Sequence, residues 1–190
     1  MRRAKWNGRV ILLVFILFSP VVHAASVQSE IEYYDVNAGD LKQLRAQLMS
    51  EGPLKRGHHY SISGQYLFNW TPKVARRNAR CESLSPELLL RAELIMPRWI
   101  SQSKADFATQ QSWISYIAAA QQYHQKIAWL IEQSAERFVQ QTKGLSAAGC
   151  QQLEALINAK GRAALANARQ KIRTYQRQTA YGESLGLTIP

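Results

Sequence analysis

The chain has 190 residues, with 24 lysines and arginines against 13 acidic residues. That length suits one domain with a real hydrophobic core. The basic excess favours anionic surfaces, but part of it sits in an N-terminal segment that reads as an export signal rather than as part of the fold.

Arg2, Arg3, Lys5 and Arg9 precede an uncharged apolar run from Val10 to Phe18, followed by Pro20 and Val22-His23-Ala24. This is the charged, apolar and small-residue order of a secretory signal peptide, with cleavage expected after Ala24. The run is shorter than the roughly 20 residues of a comfortable membrane span, and an uncleaved anchor is the alternative. Residues 25–190 then form a single exported domain, periplasmic or secreted. Removal of the signal leaves 20 basic residues against 13 acidic ones. Export excludes most nucleic-acid roles; the residual basicity is more often a solvated face, with peripheral contact with an anionic membrane surface as the alternative. Only Cys81 and Cys150 are present, which in an oxidising compartment is most simply one disulfide closing a loop of about 70 residues. A Cys–Cys–His metal site ranks below it.

Along the exported part, Glu30 to Val36 has strand composition. A short helix follows from about Asp40 to Met49, with Leu41, Leu44 and Leu48 on one face, ended by Gly52-Pro53. Tyr60 to Trp70 alternates as a strand with a kink expected at Gly64. Lys73, Arg76, Arg77 and Arg80 then mark a solvated hairpin loop, with an anion-binding site as the alternative. Leu88 to Met96 has a two-residue period, and Pro97 is expected to close that strand.

From about Ser103 to Thr142 the period becomes helical. Trp113, Ile117, Ala120, His124, Ile127, Ile131, Ala135 and Phe138 form one core-facing stripe. A second long helix is expected from about Ala147 to Gln178. Its apolar positions are Leu153, Leu156, Ile157, Leu165, Ile172 and Tyr175, and its other face is basic. The fold class is therefore α+β: a small, mostly antiparallel sheet followed by two long C-terminal helices.

Several segments together resemble a bacterial family of unknown function described as predicted secreted zinc-dependent proteases. They are Tyr34-Asp35-Val36 with the short helix and Gly52-Pro53, and Cys81 ahead of a strand ending at Pro97-Arg98-Trp99. Trp113, Tyr116 and His124 follow at the spacing of the approach to that family's metal helix. Tyr175 with Thr179-Ala180-Tyr181-Gly182 resembles a closing pattern of Thr-x-His-Gly. The resemblance implies a zincin-like metal helix, on which two histidines one turn apart bind zinc and a glutamate between them activates water.

The departures fall on that chemistry. His124 matches the first histidine, but Gln125 stands in place of the glutamate, Ala128 in place of the second histidine, and Tyr181 in place of the later one. A catalytic zinc takes three protein ligands plus water. His58 and His59 are the remaining histidines of the exported part and the residual candidates for a relocated site. Glu132 and Glu136 are expected to face solvent or to pair with Arg137 or another cation. The expectation is a protease-like scaffold without a bound cofactor that holds a peptide, an envelope component or a partner protein. The alternatives are a metallopeptidase retaining zinc through unorthodox ligands, and an envelope protein acting through its basic surface.

Overall fold

The computed structural model describes residues 27–190; the signal segment read at residues 1–24, with its cleavage after Ala24, lies outside the described residues. The architecture is α+β. A three-stranded sheet is built from β1 (Gln28–Val36), β4 (Ser63–Thr71) and β7 (Glu87–Trp99), in the order β1-β7-β4. β4 runs antiparallel to β7, whereas β1 runs parallel to it. The other pairings are antiparallel: β2 (Leu54–Lys55) with β3 (His58–His59), and β6 (Arg80–Ser83) with both β5 (Val74–Arg77) and β8 (Ser146–Ala147). Among the described residues the α-helices are α1 (Leu41–Ser50), α2 (Phe107–Thr142) and α3 (Cys150–Gln178). No helix among the described residues is long and apolar enough to cross a membrane.

β7 shows its two-residue period as packing, since Leu90, Ala92, Leu94 and Met96 are all buried. Pro97 does not close this strand, which continues to Trp99. β4 stops opposite Ile95, so beyond that point β7 has only β1 beside it. A proline is tolerated where one edge of a strand is free. Parallel register places Tyr34 beside Pro97, Asp35 beside Arg98 and Val36 beside Trp99. Two motifs far apart in sequence are thus one structural unit. The Asp35 carboxylate accepts two bonds from the Arg98 guanidinium, at 2.6 and 3.1 Å, which hold it below the usual carboxylate pKa. Val36 and Trp99 pack with Leu44, Leu48, Trp113 and Tyr116 in one core cluster, which anchors α1 and the start of α2.

α2 begins at Phe107, later than the periodicity alone suggests, because a 3-10 turn at Gln102–Lys104 precedes it and Asp106 caps it. The Asp106 carboxylate accepts from the Thr109 amide at 2.9 Å and from its hydroxyl at 2.6 Å, satisfying an otherwise orphaned helix donor. The predicted stripe faces inward, with seven of its eight positions buried and Ile117 half-buried. α3 starts at Cys150 because Ser146 and Ala147 are drawn into β8 beside β6. Cys81 of β6 and Cys150 are joined as a disulfide, with Cα atoms 5.1 Å apart. The basic segment after Pro72 is a hairpin whose Lys73 and Arg77 pair with Glu87 and Glu82 at 2.9 and 3.4 Å.

α3 packs against the sheet differently from its apolar pattern. Leu156 is largely exposed, and Gly161 and Ala168 lie buried instead. A Cβ at Gly161 would stand 2.2 Å from Cε2 of Trp70, so the indole occupies the space a side chain would need. The Trp70 Nε1–H donates to Asn158 Oδ1 at 3.0 Å and fixes the ring there. Glu132 and Glu136 also depart from expectation. Glu132 accepts from the Val27 amide at 2.9 Å and Glu136 from the Gln133 amide group at 3.1 Å, both half-buried.

Candidate functional site

His124 sits on the inner stripe of α2, 8% exposed, where the helix passes the start of β4. Two alternate positions of β4, Gly64 and Tyr66, face it. The Tyr66 hydroxyl is hydrogen-bonded to His124 Nδ1. A Cβ on Gly64 would lie 3.0 Å from Cε1 and Nδ1 of His124 and from the Tyr66 hydroxyl oxygen. Glycine there gives the imidazole and the phenol room to meet.

Burial drives the His124 pKa down to about 4, so the ring is neutral at pH 7. Burial, with Tyr123 and Tyr175 nearby, raises that of Tyr66, which therefore stays a phenol. A neutral imidazole has one acceptor nitrogen, and phenol is the stronger acid of the two. This favours Tyr66 donating to Nδ1 and leaves the ring proton on Nε2.

Around this pair lies a tyrosine-rich wall. Tyr123 meets the His124 ring edge-on at 5.3 Å and stacks on Tyr175 of α3 at 5.5 Å. Tyr181 comes from the turn after α3, with Ala180 and Tyr181 both in the left-handed region at φ 45° and 57°. Thr179 holds this turn. Its hydroxyl donates to the Tyr175 carbonyl at 2.9 Å and accepts from the Gly182 amide at 3.2 Å. Non-glycine residues with positive φ are costly and persist where the surroundings fix them. The opposite wall is the segment Tyr60 to Ser63, pinned by the Tyr34 hydroxyl donating to the Ser61 carbonyl at 2.7 Å. Beside it, burial pushes the Tyr116 phenol up to about 12; its oxygen is buried with no partner of good hydrogen-bond geometry, the Ser61 side chain being the polar group next to it.

These walls enclose an open cleft of about 600 Å³. Its floor includes Tyr66, His124 and Ile127, its rim Tyr60 and Tyr181, and its charged lining residues are Lys55 at the end of β2 and Arg56 in the turn that follows. No carboxylate among the described residues lines it.

Of the residues singled out in the sequence, the cleft brings together His124 and Tyr181, 57 positions apart. Gln125 is exposed and Ala128 half-buried on α2, and neither lines the cleft. His58 and His59 are both exposed in β3, and His59 Nδ1 is bonded to the Gly52 carbonyl at 2.7 Å. They do not line the cleft, so the structure does not gather them with His124. Among the described residues no three His, Cys, Asp or Glu side chains converge as metal ligands. The imidazole and phenols of the cleft fall short of the three-ligand set a catalytic zinc takes, and no step through zinc follows from them. Tyr66, Tyr123, Lys55 and Arg56 were not visible as site residues in the sequence. Tyr66 carried a usable signal, since it shares the period-two face of Gly64, but its partner lies on another element.

Residues 31–182 match a family of bacterial proteins of unknown function (DUF922), and the chain belongs to that family. The match runs from β1 to Gly182 and so takes in every residue lining the cleft except Leu187. Comparison with curated proteins and with solved structures finds no match.

Proposed function

We propose that this protein is an exported, non-catalytic binding module of the bacterial envelope, periplasmic or secreted, which holds a peptide, partner protein or envelope component in the cleft around His124. The observation that carries the reading is the hydrogen-bonded Tyr66–His124 pair at the floor of an open cleft with no lining carboxylate. Peptide hydrolysis by the zinc route needs a metal-bound water and a general base. Gln125 cannot serve as that base, and Ala128 offers no ligand. What remains is a walled recess with hydroxyls, an imidazole and two cations, which suits recognition. The disulfide agrees with an oxidising compartment.

The test is the zinc content of mature, oxidised protein after equilibration with low-micromolar zinc and gel filtration, together with a peptide-cleavage assay. The expected result is no retained zinc and no cleavage. About one zinc per chain, lost in His124→Ala, would overturn the reading and favour a metallopeptidase with unorthodox ligands.

A further inference from the structure

The cleft has a polarity of its own. Its floor is neutral and partly apolar: Tyr66 and His124 satisfy each other, and Ile127 and Leu187 lie beside them. Its charge is confined to Lys55 at the end of β2 and Arg56 in the turn that leads to β3. Neither is ion-paired among the described residues, in contrast to Lys73, Arg77, Arg91 and Arg98. Two unpaired cations over a recess free of carboxylates attract an anion, and the low-dielectric wall strengthens that attraction. Exposed Tyr60 and Tyr181 at the rim add flat apolar surface with a hydroxyl at its edge.

A ligand that satisfies all of this carries both an apolar group and an anionic group. Resting on the binding reading above, we infer that the cleft takes the free carboxyl terminus of a peptide whose last side chain is apolar. That side chain enters toward Ile127 and Leu187, and the terminal carboxylate meets Lys55 and Arg56. A peptide ending in an amide, or carrying its charge elsewhere, loses the second half of this recognition. Inorganic anions lose the first.

The experiment is calorimetric titration of mature, oxidised protein with N-acetyl-alanyl-alanyl-phenylalanine, with the same peptide as its C-terminal amide, and with inorganic phosphate. The acid should bind at least tenfold more tightly than the amide, as expected when charge-assisted hydrogen bonds are lost. That preference should shrink at high salt. Lys55→Gln combined with Arg56→Gly should abolish it. Glutamine keeps much of the length of the half-buried Lys55 at the end of β2, and glycine accepts the positive φ of 52° at the exposed Arg56. Tyr181→Ala should weaken both peptides together. Equal binding of acid and amide, both weakened by Tyr181→Ala, overturns the carboxylate assignment and leaves the cleft as a binding site. Phosphate binding as tightly as the acid overturns it in favour of a simple anion site. No binding of either peptide at millimolar concentration also overturns it, while the zinc measurement separately decides the reading beneath. Cleavage of the peptide by zinc-loaded protein would overturn both.

Discussion

The Tyr66 hydroxyl and His124 Nδ1 are hydrogen-bonded to each other from β4 and α2, 58 positions apart in the chain. The bond ties the sheet to the long helix at the point where the cleft opens. Tyr66→Phe removes the hydroxyl and leaves a buried nitrogen without its partner. An unsatisfied buried acceptor costs about 1–3 kcal/mol. The unfolding free energy should fall by that amount, read as a lower urea midpoint at an unchanged slope, with folding retained. An unchanged midpoint would mean that water replaces the phenol and that the floor is wetter than its burial suggests.

Gly161 offers a test in which two effects oppose. Helix propensity alone predicts that Gly161→Ala in α3 stabilises by about 1 kcal/mol. The Trp70 indole stands where that methyl would go, with Cε2 at 2.2 Å, and its Nε1–H is held by Asn158. Overpacking of this kind costs about 1–3 kcal/mol. Sterics should win, and the alanine variant should unfold at lower urea than wild type. Shortening the indole in Trp70→Phe should remove much of the alanine penalty, because the two sites share one space.

What the sequence made legible follows from where each signal resides. The α2 stripe and the alternation of β7 are properties of one segment, so periodicity finds them. The parallel pairing of Tyr34-Asp35-Val36 with Pro97-Arg98-Trp99 depends on two segments some 60 positions apart, and neither shows the register alone. Pro97 reads as a strand terminator until the early end of β4 is known. His124 stood out through its neighbours on one helix. Tyr66, which occupies its Nδ1, is set by how β4 lies against α2. Lys55 and Arg56 resemble residues of any polar hairpin until the fold brings that hairpin to the cleft. Leu156 fails in the same way, because the packing of Trp70 against Gly161 cannot be read along α3 alone.

The Cys81–Cys150 bond joins β6 to the first residue of α3 across 69 positions. In the chain-entropy account, closing a loop of that size restricts the unfolded chain by about 4 kcal/mol. Replacing both cysteines by serine should lower the unfolding free energy by up to that amount, and reduction of wild type in dithiothreitol should have the same effect. Since β8 and the start of α3 are held at this point, the ends of β6 and α3 should lose amide-exchange protection first. Loss spread evenly over the whole domain would instead indicate that the bond acts only on the unfolded chain.

The last prediction concerns acid. His124 has a folded pKa of about 4 against an ordinary 6.5, because burial disfavours the cation. Below pH 6.5 the unfolded chain takes up a proton at this residue that the folded chain refuses. Stability therefore rises with pH across the interval from about 4 to 6.5 and is lost as pH falls through it. The displacement corresponds to a loss on the order of 3 kcal/mol at the acid end. Asp35 and Asp106 also lose stability in acid, but both sit below the usual carboxylate pKa, so their effect falls under this window. The unfolding free energy from urea titrations should thus decline between pH 6.5 and 4.5 in wild type. His124→Gln, which cannot titrate, should flatten the decline in that interval and keep the one below it. A variant that declines as steeply as wild type would place the proton uptake elsewhere and show that His124 titrates like an exposed imidazole.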